Sequence, residues 1–418
     1  MDTKFLHVAD IHLDSPLAHL RKLDPAAATR LQAASRTALE RVVATAIENS
    51  VSAVVVAGDL FDAPVEDASA GIWVESQFRK LVRAEIPVIL IRGNHDALSN
   101  ARRVIDWSDG VHELSSCDAE SIRLDAAGLA VHGQSFGNRV VADDIASQYP
   151  DAIPGLFNIG VLHTSLAGNP NHDTYAPTSI SVLESKGYDY WALGHIHARS
   201  EKSLSDKCYV GYSGITQGRH IRETGSKGCH LVSIQDGQLS SVEFVPTDSL
   251  RWYELVVELD NASSLGDIEE LVIAAAESHR VDNPDVELAV RVRLSGATPV
   301  HAELTSPGVT TELSNLLSDR LSELGPVWLE KIKISTRPLT TFDADALVRP
   351  LGYIERVATQ LKTSDVAREG LEKDLDDLMR KARGELQDSG LSIEDDELAE
   401  IVSQAEDLLV ARLTKEVQ

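Results

Sequence analysis

Five short motifs rich in aspartate, histidine and asparagine carry the chemistry that this sequence can support. Each follows an apolar, often β-branched run, which predicts a strand that ends at a polar side chain. Taken singly, each is as typical of a solvated loop or a structural histidine as of a metal ligand, but five in one chain are much less expected by chance. The motifs are Asp10-Ile11-His12, Gly58-Asp59-Leu60-Phe61-Asp62, Gly93-Asn94-His95-Asp96, His163 and Gly194-His195-Ile196-His197.

These residue types indicate a site for two divalent metal ions. Carboxylate and amide oxygens combined with neutral imidazole suit Mn²⁺, the expected metal, with Fe²⁺ or Zn²⁺ as alternatives. Two ions about 3.5–4 Å apart can share one carboxylate, generate hydroxide and bind both the attacking and the leaving oxygen of a phosphoester. Such a pair needs one bridging acid.

Alternating strand-like and helix-like runs over residues 4–245 must position the motifs. A strand at 5–9, a helix at 33–49, a strand at 53–57, a helix at 68–82 and a strand at 87–91 give a βαβαβ beginning. Shorter strands follow, and a hairpin signal lies among them. The pattern predicts an α/β (α+β) fold in which a two-sheet β-sandwich is flanked by helices. The later strands are predicted at 121–124, 129–132, 159–162, 188–193, 207–212, 229–234 and 242–245.

Three domains are expected. Residues 1–248 form the sandwich, and Pro246-Thr247-Asp248-Ser249 marks its end. Residues 249–338 contain alternating strand patterns and two helical runs, which predict a small α+β domain. The pattern of residues 339–418 predicts charged helices with an apolar stripe. The stripe is suited to docking a partner, and an ordinary solvated bundle is the alternative.

Composition limits the class of protein. A formal net charge of -26 argues against a general nucleic-acid-coating protein without excluding a nuclease. The three cysteines lie far apart, which is typical of a reducing compartment. No run of about 18 apolar residues exists, and residues 1–4 lead into a strand without the charged and apolar regions of a signal peptide, so no signal peptide is expected. The expectation is a cytoplasmic protein that does not associate with membranes.

The ordered motifs resemble those of the calcineurin-type metallophosphoesterases over residues 5 to about 245. Within that superfamily, the stretches around Asp10 and Asp59, and Tyr212-Ser213-Gly214 followed by Gln217-Gly218-Arg219, resemble the SbcD and YhaO type of bacterial DNA repair exonuclease, kin of the eukaryotic MRE nuclease. The metallophosphoesterase fold is therefore expected for the first domain. The second domain matches the capping domain of that group in position.

The resemblance implies two ligand sets and one proton donor. Asp59 would bridge the two ions, His95 would donate to the phosphate, and Asp96 would orient His95. Asp62 is expected to support the site or cap a turn; relatives of the eukaryotic type tend to carry histidine there. The first ion would be held by Asp10, His12, Asp59 and His197, and the second by Asp59, Asn94, His163 and His195.

The loop Arg219-His220-Ile221-Arg222 is a candidate phosphate-contacting patch, with a solvated turn as the alternative. Arg219 and His220 are its predicted substrate-binding residues.

Two functions compete on this basis. The first is a metal-dependent DNA exonuclease, with endonuclease activity also open, that acts on DNA ends in repair. By resemblance it would work with an SbcC-type, SMC-like coiled-coil ATPase and pair as a homodimer through helices of the first domain. The second is a phosphatase or cyclic-nucleotide phosphodiesterase that acts on a small substrate. The size of the appended region favours the first function, and the acidic charge favours the second.

Overall fold

A computed structural model describes most of the chain. The described residues are 2–15, 25–62, 68–98, 105–166, 175–205, 208–339, 344–363, 402–403 and 405–409.

Strands dominate this part of the chain. They are β1 Thr3–Val8, β2 Ala53–Ala57, β3 Val88–Ile91, β4 Val111–Glu113, β5 Glu120–Leu124, β6 Leu129–Gly133, β7 Phe157–His163, β8 Tyr190–Gly194, β9 Ser200–Ser205, β10 Cys208–Tyr212, β11 Gly228–Gln235, β12 Gln238–Pro246, β13 Leu250–Glu258, β14 Glu287–Thr298 and β15 Val327–Pro338. The α-helices are α1 Pro25–Glu48, α2 Ala68–Arg83, α3 Ile180–Ser185, α4 Leu265–Asp282, α5 His301–Leu304, α6 Val309–Glu323 and α7 Ala344–Thr363.

Two six-stranded sheets have parallel strands at their centres. The first has the order β12-β11-β1-β2-β3-β4, and the second has the order β5-β6-β7-β8-β10-β9. Strands β1 to β4 run parallel to one another, as do β6, β7, β8 and β10. Within each sheet, the carboxyl ends of these strands therefore lie at one edge.

The composition of the central strands follows from burial on both faces. In β2, Val54 and Val56 pack in the core between the first sheet and helices α1 and α2. Val55, on the opposite face, packs in the core between the two sheets, together with Ile159 and Tyr190. A strand with two buried faces needs apolar residues at every position, and β2, with the sequence Ala-Val-Val-Val-Ala, is apolar throughout. A third core covers the outer face of the second sheet with α3.

The chain divides into two compact units. The first comprises 1–255, 276–291 and 318–331, and the second comprises 256–275, 292–317 and 332–418. A separate three-stranded sheet has the order β13-β14-β15. The predicted limits 1–248, 249–338 and 339–418 stay a prediction.

The predicted two-sheet sandwich flanked by helices is confirmed. Strands β4 and β9 and the short helices α3 and α5 were not predicted. A helix is present from Ala344 to Thr363, within the stretch 339–418 that was predicted to be helical. Most of the other charged helices and of the apolar stripe predicted over 339–418 lies outside the described residues.

No helix in the described ranges combines the length and the apolar character needed to cross a lipid bilayer.

Substitution of Gly160 in β7 tests the packing of the second sheet. A Cβ at this position would lie 2.4 Å from Cε3 of the buried Trp191. We expect Gly160→Ala to lower the free energy of unfolding by about 1–3 kcal/mol through overpacking, measured by urea denaturation. Gly137→Ala is the control, because its Cβ would meet nothing closer than 3.7 Å. Equal stability of the two variants would contradict the packing described here.

Candidate metal centre

The five motifs meet where the two sheets present the ends of their parallel strands. Val8 pairs with Val56 and Ala57 pairs with Ile91, so the loops that follow β1, β2 and β3 begin side by side. In the second sheet His163 pairs with Gly194. Nδ1 of His163 lies 3.0 Å from the carbonyl oxygen of Ala57, which joins the edges of the two sheets.

The loops after β1 and β2 are held together by backbone hydrogen bonds. The N–H of Asp10 donates to the carbonyl of Gly58 at 3.1 Å, and that of His12 donates to the carbonyl of Asp59 at 3.0 Å. Four of the predicted ligands adopt left-handed backbone conformations, which is uncommon outside glycine. Their φ angles are 50° at Asp10, 43° at His12, 51° at Asp59 and 94° at His195. Such conformations cluster at functional sites, where the surrounding structure holds them.

The carboxylate of Asp59 lies between the two predicted ligand sets. Its Oδ2 is 3.7 Å from Nε2 of His12 and 3.3 Å from Nε2 of His163, one histidine from each set. Its Oδ1 accepts the N–H of His95 at 2.9 Å. A Cβ on Gly93 would lie only 2.2 Å from this Oδ1, so the chain can pass Asp59 this closely only as glycine.

The first predicted ligand set comes together around His12. Nε2 of His12 lies 3.2 Å from Nε2 of His197, and ligand atoms of Asp10, His12 and His197 lie within 4.8 Å of one another. Burial together with the charge of Arg219 lowers the pKa of His12 to about 4. The His12 ring is therefore neutral near pH 7 and can offer a lone pair to a cation.

The second predicted ligand set surrounds His163. Oδ1 of Asn94 lies 2.9 Å from Nε2 of His163, and the ring centroids of His163 and His195 are 5.3 Å apart. Asp10 accepts the backbone N–H of His195 at 3.0 Å. Ligand atoms of Asp10, Asp59 and His163 also lie within 4.8 Å of one another. Asp10 is thus close to both sets, a position that the sequence did not indicate.

The arrangement around His163 fits a bound cation. The Ala57 carbonyl can only accept, so Nδ1 of His163 donates to it and Nε2 faces the oxygens of Asn94 and Asp59. Burial opposes protonation of the ring, but the charge of Asp59 raises the pKa of His163 to about 9. Buried oxygens and nitrogens that attract positive charge in this way form a suitable donor set for a divalent ion.

His95 is oriented by Asp62, and the predicted pairing with Asp96 is wrong. Nδ1 of His95 lies 2.8 Å from Oδ1 of Asp62, and this hydrogen bond raises the pKa of His95. Asp96 is buried and instead accepts the backbone N–H groups of Leu60, Phe61 and Gly93. The reason is geometric: Asp96 begins a 3-10 turn that points its carboxylate at the loop after β2.

Arg219 and His220, the predicted substrate-binding residues, lie beside the predicted metal ligands. Nη1 of Arg219 is 3.4 Å from Oδ2 of Asp62, and its Nη2 is 3.3 Å from Nδ1 of His197. The side chain of His220 is 44% exposed, and its Nε2 is 3.6 Å from Oε1 of Glu223. Contact of either residue with a phosphate stays a prediction.

Glu223 is a residue of the site that was not predicted from the sequence. Its Oε1 lies 2.7 Å from Nδ1 of His197, and its Oε2 accepts the backbone N–H of Arg219 at 2.6 Å. Burial opposes ionisation, but the hydrogen bond from His197 and the charge of Arg219 hold the pKa of Glu223 well below its ordinary range. Glu223 follows no strand, so the pattern that revealed the other residues gave no signal for it.

The sequence is similar to known metallophosphoesterases. The family model described as calcineurin-like phosphoesterase matches residues 3–199, and the model of the middle domain of metallophosphoesterase YhaO matches residues 252–337. A protein of Bacillus subtilis (strain 168) described as uncharacterized metallophosphoesterase YhaO is 31% identical over 325 residues, which is 77% of this chain and 79% of that protein. The crystal structure of a dimetal phosphatase from Danio rerio is 12% identical and covers 58% of this chain and 99% of its own, with a TM-score of 0.34, too low to carry an argument.

The contact between Asp62 and His95 predicts a measurable change in the pKa of His95. In the metal-free protein, Asp62→Asn removes the charge that stabilises the imidazolium, so the pKa of His95 should fall by about 1 unit or more. The ring Cε1–Hε1 signal, followed by NMR titration and assigned with His95→Asn, measures it. Asp96→Asn is the comparison. A fall in Asp96→Asn with none in Asp62→Asn would contradict the described pairing.

Proposed function

We propose that this chain, which belongs to the calcineurin-like metallophosphoesterase family, cleaves phosphodiester bonds at DNA ends. Membership of the family makes it a hydrolase of phosphoester bonds with a dinuclear metal site. The identity of the metal, the DNA substrate and the role in repair belong to the proposal, with Mn²⁺ as the proposed metal.

The position of Asp59 between His12 and His163 is the observation that best supports metal-dependent hydrolysis of a phosphoester. Two ions held there would supply a hydroxide nucleophile and neutralise the charge of the phosphoryl group. His12, His197 and Asp10 would hold one ion, and the other would be held by His163, Asn94 and His195, with Asp59 shared.

His95 supplies the proton that the leaving oxygen needs. Its side chain is 32% exposed, so a substrate can reach the ring. Because Nδ1 is engaged by Asp62, Nε2 is the nitrogen that can donate to a leaving group. The raised pKa keeps more of the ring protonated near neutral pH, as a general acid requires.

Three features support DNA as the substrate. The motifs around Asp10, Asp59 and Arg219 resemble those of bacterial repair exonucleases. The guanidinium of Arg219 lies beside the site, where it can contact a backbone phosphate. A family-specific middle domain follows the catalytic one.

An SMC-like, SbcC-type coiled-coil ATPase is the proposed partner, and pairing of two copies through helices of the first domain is proposed with it. Helix α7 presents Tyr353 and Val357 with 66% and 37% of their surface exposed. Exposed apolar residues on an amphipathic helix are typical of a docking surface.

A phosphatase or cyclic-nucleotide phosphodiesterase is the second candidate, favoured by the formal net charge of -26. A strongly acidic protein repels DNA over most of its surface, whereas a small substrate needs only the site itself.

Parallel assays separate the candidates. Purified protein with Mn²⁺ is incubated with end-labelled duplex DNA, with a cyclic nucleotide and with an aryl phosphodiester, in the presence and absence of the ATPase. We expect shortening of the DNA, and a loss of about 100-fold or more in kcat for His95→Asn, which removes the proton donor. His112→Asn, the same change in β4, should retain full activity.

Intact DNA in every arm, with or without the ATPase, would refute the nuclease proposal. Turnover of the cyclic nucleotide under the same conditions would then favour the second candidate.

A further inference from the structure

Glu223 is a buried acid that contacts residues with two different predicted roles. It is 7% exposed, and both of its oxygens accept hydrogen bonds. One bond comes from His197, a predicted metal ligand, and the other comes from the backbone of Arg219, a predicted substrate-binding residue. A buried carboxylate is costly unless it is paired, so these contacts are needed to keep Glu223 ionised.

The bond to His197 fixes which ring nitrogen carries the proton. A carboxylate can only accept, so Nδ1 of His197 is the donor over the 2.7 Å contact. In a neutral ring, Nε2 then presents its lone pair, and this is the nitrogen that lies 3.2 Å from Nε2 of His12. A hydrogen bond to a carboxylate in this position orients a ligating histidine and increases its basicity.

The same carboxylate also restrains Arg219. Its Oε2 accepts the backbone N–H at 2.6 Å, and its Oε1 lies 3.4 Å from Nη2 of the guanidinium. Nη1 lies 3.4 Å from Asp62, the partner of His95. The guanidinium therefore lies between the carboxylate of Glu223, which contacts His197, and that of Asp62, which contacts His95. These two contacts restrict the conformations of the long Arg219 side chain.

We propose that Glu223 is a positioning residue that sets the tautomer of His197 for metal binding and holds Arg219 at the site. The proposal rests on the function proposed above, because it assumes that His197 is a ligand. It assigns a role to a residue that neither the motifs nor the family resemblance indicated.

Glu223→Gln tests the proposal with little change in shape. Glutamine has one acceptor oxygen, so either His197 or the backbone N–H of Arg219 loses its acceptor and faces an amide N–H instead. Mn²⁺ titration followed by electron paramagnetic resonance of the free ion should show two tightly bound ions in the wild type. In Glu223→Gln, we expect one of them to bind about 10- to 100-fold more weakly.

A second readout needs no metal. The ¹⁵N shifts of the His197 ring in the metal-free protein should report the Nδ1–H tautomer in the wild type and a mixture of tautomers in Glu223→Gln. Glu223→Asp keeps the carboxylate, so its Mn²⁺ affinity should lie between those of the wild type and Glu223→Gln. If Glu223→Gln does not fold, Glu223→Asp gives both readouts, with a smaller loss expected in each.

Glu330→Gln is the matched control. Glu330 is 8% exposed and accepts two hydrogen bonds of 2.6 Å from Arg291, so the same chemical change breaks a buried ion pair without touching His197. Its Mn²⁺ affinity should equal that of the wild type.

Unchanged Mn²⁺ affinity and an unchanged tautomer in Glu223→Gln would overturn the role of Glu223 while leaving the dinuclear site intact. Fewer than two bound ions in the wild type would instead refute the dinuclear basis of the proposed function, and with it the assumption that His197 is a ligand.

Discussion

The burial of two carboxylates beside several imidazoles is the constraint on which the rest of this structure depends. Asp10 and Asp59 are 0% and 1% exposed, and the interior tolerates the ionised form of each only beside compensating positive charge. His163 provides part of that charge as a proton when no cation is bound, which is the meaning of its raised pKa. A divalent ion would replace that proton, so metal binding and stability of the site are two aspects of the same electrostatic balance.

The fold supplies what this balance needs. Parallel strands in two stacked sheets deliver side chains to a common edge, and their loops hold unfavourable backbone conformations at Asp10, His12, Asp59 and His195. Each such conformation costs about 1–3 kcal/mol, which the packed cores on both faces of the first sheet must offset. Beside the predicted ligands, the contact of Asp62 with His95 and that of Glu223 with His197 orient these two rings.

Much of this was predictable from sequence, and the exceptions have physical causes. Strand β2 was found because both of its faces are buried, whereas β9 was missed because it is polar and mostly exposed at the edge of its sheet. The motifs revealed the predicted metal ligands because each follows a strand. The pairing of Asp62 and not Asp96 with His95 depends on a turn whose direction no spacing encodes. Glu223 reaches His197 across 26 residues of sequence, a contact that only the folded chain creates.

Anomalous diffraction from crystals grown with Mn²⁺ tests most directly whether Asp59 bridges two metal ions. We expect two anomalous peaks about 3.5–4 Å apart. One should be bound by His12 and His197, the other by His163 and Asn94, with the carboxylate of Asp59 bound to both. A single peak, or two peaks that do not share Asp59, would contradict this role of Asp59.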